Sequence, residues 1–447
     1  MLGFSRTREW VYPQTIQGHY TTLRRWSFGL LHLILLVAPW ITLNGNPLVQ
    51  IDIPGRRVFL FGGIFTPYDT FFLVLFLLFL AFALFFFTAL WGRVWCGYAC
   101  PQTVFLETWI RPIELWIEGD RVRRKRRDAG GLTFDLVWRK LVKWGLFAAV
   151  SVFLAMAIVS LFAGARPLWT GRASGTAYAF VAVIALAWFW DFTWFREQFC
   201  NYLCPYARFQ SALADRETLI VSYDEPRGEP REKGRNAARD GRCIDCNKCV
   251  IVCPQGIDIR DGFQLECIQC ARCIDACASV MEPLGHETLV AYGSIAEAEG
   301  RHVRRIRPRT IVYAALLGSI LLGGGVLLAG RVPFEASVNR TPGSLFQLDP
   351  DGYVRNTYLL EVTNKQAGTG AVPFEVEVEG VSGAIALSPP IMLGPSESTT
   401  TPLVVRVPSS EAGGRSLPIA VRVRSMGRDL LIQTTFLTDA ALGGGDR

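Results

Sequence analysis

The chain has 447 residues, of which 50% are hydrophobic and only 19% are charged. It is long enough for two or three domains and more apolar than an ordinary soluble protein. The net charge of +7 does not indicate nucleic acid as a partner, because the arginines and lysines cluster in short runs beside apolar segments, as in proteins oriented in a membrane.

Five apolar segments are long enough to cross a bilayer, which takes about 20 residues. They are 26–43, 68–90, 141–162, 176–195 and 310–329. The first is interrupted by Pro39 and lacks a small-residue cleavage site, so we interpret it as a retained helix rather than a signal peptide.

The basic residues predict how these segments are oriented. The stretches 91–140 and 196–309 contain many arginines and lysines, whereas 44–67 and 164–175 contain two each. The positive-inside rule therefore predicts that 1–25, 91–140 and 196–309 are cytoplasmic. An odd number of spans then places everything after residue 329 on the opposite, periplasmic face.

Two stretches repeat one pattern after two different apolar segments. Residues 95–105 read WCGYACPQTVF and residues 199–209 read FCNYLCPYARF, and both fit C-x-Y-x-C-P-x-x-x-F. Each pattern follows a predicted helical hairpin, so hairpin and thiol pair form an internal repeat whose two copies run parallel in the membrane. The two cysteines of a copy would share one helical face if the helix continues to the second of them, and the following proline can begin the next turn.

The repeat predicts a four-thiolate site near the cytoplasmic membrane surface. Thiolates select Cu(I), zinc or iron–sulfur clusters. Three interpretations remain open at this stage: a metal or third cluster, transient copper binding or thiol redox chemistry, and free thiols packed in apolar surroundings. The four residues are Cys96, Cys100, Cys200 and Cys204.

The other eight cysteines form two motifs, CIDCNKCVIVC at 243–253 and CIQCARCIDAC at 267–277. Both have the spacing C-x2-C-x2-C-x3-C, in which the fourth cysteine binds the neighbouring cluster. One [4Fe–4S] cluster would be bound by Cys243, Cys246, Cys249 and Cys277, and the other by Cys267, Cys270, Cys273 and Cys253. A zinc site is the weaker alternative.

All twelve cysteines lie in these tight motifs on the predicted cytoplasmic side, which favours metal ligation in a reducing compartment over disulfides. The chain has neither a G-x-G-x-x-G turn nor a P-loop, so a bound nicotinamide is not expected and the electron donor is left unnamed. His32, the only histidine of the first apolar segment, could be a ligand, a quinone contact or a packed residue.

The segment from residue 331 has a different pattern. The runs YLLEVTN, PFEVEVEG, TPLVVRV, PIAVRVRS and DLLIQTTFL alternate apolar and polar residues between Gly, Pro and Ser clusters. This period of two predicts a β-sandwich of about 100 residues. It contains no cysteine or histidine and only Met392 and Met426 as soft ligands, so we interpret it as a docking module.

Three long stretches carry a family resemblance. They are WCGYACPQTVFLETWIRPIELWIEGDR, REQFCNYLCPYARFQSALADRETLIVSYDEPRGEPR and CIDCNKCVIVCPQGIDIRDGFQLECIQCARCIDAC. They resemble the FixG/CcoG/RdxA family, the accessory proteins of cbb3-type cytochrome c oxidases, over nearly the whole chain. The resemblance implies a multi-pass protein of the bacterial inner membrane. Its expected parts are a cytoplasmic N-terminus (1–25), a four-helix membrane part (26–205), a dicluster ferredoxin domain (206–309), a fifth transmembrane helix (310–330) and a periplasmic immunoglobulin-like domain (331–447).

The resemblance also implies a function. The protein would help assemble the cbb3 oxidase by reducing Cu(II) to Cu(I), with the ferredoxin clusters as the electron relay and the four C-x3-C-P thiols as a further cluster or the catalytic copper site. Its partners would be oxidase subunits or copper-delivery proteins, and its oligomeric state is left open, a homo-oligomer included. Two alternatives are a quinol-linked electron-transfer subunit and a non-enzymatic assembly factor.

Overall fold

The computed structural model describes residues 10–43, 45–233, 235–298, 301–302, 306–341, 346–366, 370–413 and 416–438. The chain divides into two compact units. The first comprises Met1–Ala38 and Phe72–Gly323, and the second Pro39–Phe71 and Gly324–Arg447.

The α-helices, in chain order, are α1 His19–Val37, α2 Thr70–Trp91, α3 Val94–Tyr98, α4 Pro101–Phe105, α5 Arg111–Glu118, α6 Arg121–Ala129, α7 Phe134–Ala163, α8 Ala165–Trp169, α9 Gly175–Trp190, α10 Pro205–Leu213, α11 Glu225–Gly228, α12 Arg235–Arg239, α13 Lys248–Ile251, α14 Arg272–Met281, α15 Ile295–Ala298 and α16 Pro308–Ala329. Three segments are π-helical: Leu106–Ile110, Asp191–Phe195 and Phe199–Leu203. Short 3-10 turns lie at Ala38–Trp40, Pro67–Asp69, Ile259–Asp261 and Glu282–Leu284.

The strands are β1 Thr42–Leu43, β2 Asn46–Pro47, β3 Val49–Asp52, β4 Arg57–Leu60, β5 Gly63–Phe65, β6 Ile220–Tyr223, β7 Val290–Gly293, β8 Phe334–Arg340, β9 Gln347–Leu348, β10 Tyr353–Asn364, β11 Val372–Glu379, β12 Ile385–Leu387, β13 Ile391–Leu393, β14 Ser398–Pro408, β15 Ser416–Ser425 and β16 Arg428–Leu437.

Four of the predicted membrane segments are confirmed as helices that are long and apolar enough to cross a bilayer. Within the described residues these are Thr70–Trp91, Phe134–Ala163, Gly175–Phe195 and Pro308–Ala329. The first predicted segment is different: α1 begins at His19 and ends at Val37, and its second turn carries Arg24 and Arg25. It is not one of these four helices, so the fifth span stays a prediction.

The core of the first unit lies between α7 and α9. Small side chains line the contact between these two helices, among them Ala155, Ala177 and Ala185, and they allow a close approach. A second cluster joins Phe147 and Leu154 of α7 to Val104 and Phe105 of α4. The first C-x3-C-P motif is therefore packed directly against a membrane helix.

The second unit contains the predicted β-sandwich. One sheet has the order β12-β14-β10-β8, with β9 also paired to β10, and the other has the order β13-β11-β15-β16. All five predicted runs are confirmed as strands, and alternate residues of β10 are buried as the period of two requires. Tyr358, Leu403, Val421 and Phe436 lie in the core between the sheets.

The second unit also contains a β-structure that the sequence did not predict. Strands β1 and β2 pair with each other, and β3-β4-β5 form a three-stranded sheet. The Asp69 carboxylate, next to this sheet, forms a capping box with Thr66 and accepts bonds from Lys365 Nζ at 3.0 Å and Arg331 at 2.6 Å. These bonds join the segment before α2 to the residues that flank the sandwich.

Replacing Asp69 with Asn should destabilise the second unit. The buried Lys365 and the half-buried Arg331 would each lose a carboxylate partner, and such a loss costs about 1–3 kcal/mol. We expect the C-terminal part of the detergent-solubilised full-length protein to become protease-sensitive at a lower temperature. Asp52→Asn is the control, because its carboxylate lies 4.0 Å from Arg57 and is partly exposed. Equal sensitivity of the two variants would contradict the role of Asp69.

Candidate metal centres

The two ferredoxin motifs have the same backbone geometry. Asp245 and Asn247 in the first, and Gln269 and Ala271 in the second, all have left-handed backbones with φ between 50° and 59°. Helix α13 begins directly after Asn247, and helix α14 begins directly after Ala271. The sequence repeat is therefore also a structural repeat, stabilised by the antiparallel pair β6–β7.

The eight cysteines of these motifs line two cavities. The wall of the first cavity includes Tyr223, Met281 and Val290. The wall of the second cavity includes Val221, Ile257 and Ile259. In both cavities the fourth cysteine of one motif lies with the first three of the other. The first cavity is lined by Cys243, Cys246, Cys249 and Cys277, and the second by Cys253, Cys267, Cys270 and Cys273, with Cys249 at both.

The chemistry of these cavities fits iron–sulfur clusters. Four thiols against a largely apolar wall are the donor set of a [4Fe–4S] cluster, and all twelve cysteines of the chain are free thiols. Burial raises the pKa of Cys249 and of Cys267 to about 12. A thiolate at these positions therefore needs the positive charge of a metal to stabilise it.

The C-x3-C-P motifs adopt a different local structure from the one considered above. Helix α3 ends at Tyr98, before Cys100, so the two cysteines of the first copy do not share one helical face. Cys100 and Cys204 have extended backbones, with ψ of 126° and 109°, because a following proline disfavours the helical conformation. The prolines begin α4 and α10, as the sequence predicted.

The structure brings the four C-x3-C-P thiols together. Burial and the neighbouring thiols of Cys100, Cys96 and Cys204 raise the pKa of Cys200 well above its usual range. Burial raises the pKa of Cys96 to about 11, and the nearby Arg93 guanidinium opposes this shift. Tyr206 of the second copy packs against the buried group that contains Cys96, so the two copies of the motif are neighbours.

The thiols do not converge on a point the size of one ion. In the part of the chain that the structure describes, no group of three or more His, Cys, Asp or Glu side chains is arranged to hold a single metal ion. A [4Fe–4S] cluster does not require such convergence, because each thiolate binds its own iron atom.

Two residues beside Cys96 were not predicted as part of a site. Gln210 Oε1 lies 3.2 Å from Cys96 Sγ and accepts a bond of the same length from Arg93 Nε. The Arg93 backbone N–H also donates to Gln269 Oε1 at 2.8 Å. Arg93 precedes Cys96 by three positions, but the sequence pattern indicates only that its charge helps to orient the membrane segments. No sequence motif marks Gln210 as part of a site.

A buried carboxylate joins the two repeats. Arg196, just before the second motif, donates two bonds to the Glu114 carboxylate, at 2.8 and 3.0 Å. Arg124 donates to the same carboxylate at 2.7 Å, and Arg111 lies 3.6 Å away. Gln102, next to Pro101, donates to the Arg196 carbonyl at 3.1 Å. These bonds fix the two motifs relative to each other.

His32 is a packed residue. Its Nδ1 lies 2.8 Å from the Phe28 carbonyl, and its Nε2 accepts a bond of 2.8 Å from the Trp109 indole. Nδ1 must therefore carry the proton. Because both ring nitrogens are engaged, neither is free to bind a metal or a quinone.

The first C-x3-C-P motif contacts the second cluster cavity. Cys96 packs with Ile268 and Cys270 in one buried group. A Cβ atom at Gly97 would lie 2.7 Å from the Ile268 carbonyl oxygen and 2.9 Å from Cys270 Cα. Only a residue without a side chain permits this approach.

The ferredoxin part also caps α1. The first turn of α1 has no side-chain cap from its own N-cap residue, Gly18. The Asp275 carboxylate of α14 accepts bonds from the backbone N–H groups of Tyr20, at 3.1 Å, and Thr21, at 2.7 Å. A carboxylate at this position satisfies exposed donors and the helix dipole.

Three family profiles match the chain. The profile described as "4Fe-4S binding domain" matches residues 73–127, "4Fe-4S dicluster domain" matches 195–295, and "IG-like fold at C-terminal of FixG" matches 325–438. The thiol-lined cavities, the apolar helices and these matches define a membrane-associated iron–sulfur electron-transfer protein.

Two similar proteins identify the family of this chain. Protein RdxA of Cereibacter sphaeroides is 38% identical over 83% of each chain. Nitrogen fixation protein FixG of Rhizobium meliloti is 35% identical over 80% of this chain and 77% of its own. The chain belongs to the FixG/RdxA family. The crystal structure of a FixG-related protein from Vibrio parahaemolyticus aligns with 24% of this chain and 97% of its own, at 20% identity and a TM-score of 0.22.

Replacing Glu114 with Gln should destabilise the protein at neutral pH, because three arginines would lose a buried negative charge. Breaking such a network costs about 3–5 kcal/mol. Burial alone would raise the pKa of Glu114, but Arg196, Arg111 and Arg124 outweigh it and hold that pKa well below its usual range. The stabilisation is therefore complete above the pKa of the unfolded carboxyl, about 4.3, and is lost as the pH falls through the folded value.

The measurement is the midpoint of thermal unfolding of wild type and variant between pH 7 and pH 3. The difference between them should be largest at pH 7 and should narrow below about pH 4. Glu287→Gln is the control, because Glu287 is 94% exposed and 3.8 Å from Arg227. A difference that is independent of pH would contradict the assigned charge of Glu114.

Proposed function

We propose that the thiols of the ferredoxin motifs hold two [4Fe–4S] clusters in the crossed pattern and that the C-x3-C-P thiols hold a third centre. The grouping of the cysteines around two cavities supports the first part. The ligands would be Cys243, Cys246, Cys249 and Cys277 for one cluster, Cys267, Cys270, Cys273 and Cys253 for the other, and Cys96, Cys100, Cys200 and Cys204 for the third centre.

The third centre is best explained as a further iron–sulfur cluster. Four cysteine thiols are the donor set that the two ferredoxin cavities also present. The region that matches a "4Fe-4S binding domain" at 73–127 contains Cys96 and Cys100. Copper is then a substrate of the protein and not its resident metal.

The contact of Gly97 with the Cys270 backbone carries the proposal. Clusters bound in these cavities supply single-electron transfer. The chain contributes a direct packing contact between the third centre and the second cavity, and it buries Cys96 and Cys270, which are 6% and 7% exposed. Arg93 adds a positive charge that compensates thiolate charge at Cys96.

The reaction that fits these features is the one-electron reduction of Cu(II) to Cu(I). The electron would come from a reduced cluster, which would be oxidised by one electron as Cu(II) becomes Cu(I). With the family membership, this supports a role in cbb3 oxidase assembly, in which Cu(I) passes to oxidase subunits or copper-delivery proteins. The ferredoxin part would face the cytoplasm and the sandwich the periplasm of a bacterial inner membrane.

Replacing Gly97 with Ala should slow electron transfer without removing iron. The added Cβ must displace the Cys270 backbone, and small misplacements of reacting groups cost about tenfold or more in rate. The measurement is reoxidation of the pre-reduced full-length protein by Cu(II), followed by the cluster absorbance. Gly145→Ala is the control, because a Cβ there meets nothing within 4 Å. An unchanged rate in Gly97→Ala would contradict the proposed route.

The metal content of anaerobically purified protein tests the third centre directly. Three [4Fe–4S] clusters contain about twelve iron atoms and two contain about eight. The double variant Cys96→Ser/Cys100→Ser should lose about four iron atoms, together with reoxidation by Cu(II). A wild-type content of about eight iron atoms would exclude a third cubane, and copper-independent reoxidation would exclude the reductase.

A further inference from the structure

A strongly basic cavity lies beside the first turns of α1. It encloses about 1450 Å³, including solvent at its mouth, and its walls include the apolar side chains of Phe28 and Leu115. Two carboxylates line it, Glu107 and Asp120, against six arginines: Arg24, Arg25, Arg111, Arg121, Arg124 and Arg272.

Three of these arginines have carboxylate partners. Arg272 binds Glu107 at 2.9 Å, whereas Arg124 and Arg111 share the Glu114 carboxylate, at 2.7 and 3.6 Å. The cavity therefore has a positive charge that these ion pairs do not cancel.

The other three arginines are Arg24, Arg25 and Arg121. In the described segments of the chain, none of them has a carboxylate within ion-pair distance; Arg121 instead donates to the Tyr12 carbonyl at 2.9 Å. Three unneutralised guanidinium groups around one cavity favour an anionic ligand.

Arg24 is buried and has a nitrogen atom that is free to bind a ligand. It is 2% exposed, and its Nε donates to the Gly97 carbonyl at 2.9 Å. Its guanidinium lies 5.1 Å from the centre of the Phe28 ring, and its second terminal nitrogen has no hydrogen-bond partner. The nearby Glu107 carboxylate is shared among Arg272, Arg24 and Arg111, so a second anion near Arg24 would be stabilised by this excess of positive charge.

The cavity lies where α1 becomes apolar. Arg25 is followed at once by an exposed stripe with helical spacing, which would face lipid: Trp26, Leu30, Leu33, Ile34 and Val37. With the apolar stripe of α1 in the bilayer, as the sequence predicts, the cavity would lie at the depth of phospholipid headgroups.

We propose that this cavity binds the phosphate group of an anionic phospholipid. The planar fork of arginine suits phosphate oxygens, and basic pockets beside membrane helices are typical headgroup sites. The apolar walls at Phe28 and Leu115 would contact the glycerol and the first carbons of the acyl chains. A soluble phosphate compound shares the charge but gains nothing from the apolar stripe.

The site is connected to the candidate third centre. Arg24 lines the cavity and holds the carbonyl of Gly97, the residue after Cys96. A headgroup bound to Arg24 would therefore also hold in place helix α3, which carries Cys96. Lipid binding itself does not depend on the identity of the metal held by that loop.

The test uses delipidated full-length protein and native mass spectrometry. Wild type should bind phosphatidylglycerol at least about tenfold more tightly than phosphatidylcholine. The double variant Arg25→Gln/Arg121→Gln should lose about tenfold in phosphatidylglycerol affinity. It leaves the buried Arg24 in place, which keeps the risk of misfolding low.

Arg126→Gln is the matched control, because Arg126 is an exposed arginine of α6 outside the cavity, and it should bind like wild type. Equal phosphatidylglycerol affinity in the double variant and the control, or equal affinity for the two lipids in wild type, would overturn the proposal. Inorganic phosphate is the third ligand. If millimolar phosphate displaces phosphatidylglycerol completely and its own binding is lost in the double variant, the site takes soluble phosphate and the lipid assignment is wrong.

Discussion

The buried bond between Arg196 and Glu114 is the constraint on which the thiol centre depends. Its two ends lie 82 positions apart in the chain, and each belongs to a different copy of the repeat. A buried ion pair is stabilising only when its geometry is good and its remaining hydrogen bonds are made. Here the carboxylate meets the guanidinium at two points and Arg124 at a third. Together with the packing of α4 on α7 and the bond from Gln102 to the Arg196 carbonyl, this ion pair holds the two copies of the repeat against each other.

The ferredoxin part is fixed on the same scaffold by backbone contacts. Asp275 provides the cap that α1 lacks, and the Ile268–Cys270 segment packs on Gly97. Both interactions involve main-chain atoms, which move less than long side chains. The relation between the second cavity and the membrane-edge thiols is therefore set by packing and not by a linker, and this favours a reproducible electron route.

The sequence predicted the features that depend on local spacing. The spacing of the cysteines predicted how they group around the two cavities, and cluster ligation itself is a proposal. The period of two predicted the five strands of the sandwich. Features that depend on distant partners could not be read from it. Glu114 looked like an ordinary helix residue, and nothing marked Gln210 as a neighbour of Cys96. Helix α3 ends early because of Gly97, Pro101 and the contact of Gly97 with the Ile268–Cys270 segment. Strands β1 to β5 are too short to produce a periodic pattern in the sequence.

The Gly97 contact explains why the internal repeat is not symmetric. The corresponding position of the second copy is Asn201, and Tyr202 there is exposed whereas Tyr98 is half-buried. The first copy approaches the ferredoxin loop with its main chain at Gly97, whereas the second copy packs against the same loop through the Tyr206 side chain. The two copies of the repeat therefore contact the ferredoxin part in different ways, one through backbone atoms and the other through an aromatic side chain. A single difference, glycine at position 97 and asparagine at the corresponding position 201, therefore makes the two copies of the repeat structurally unequal.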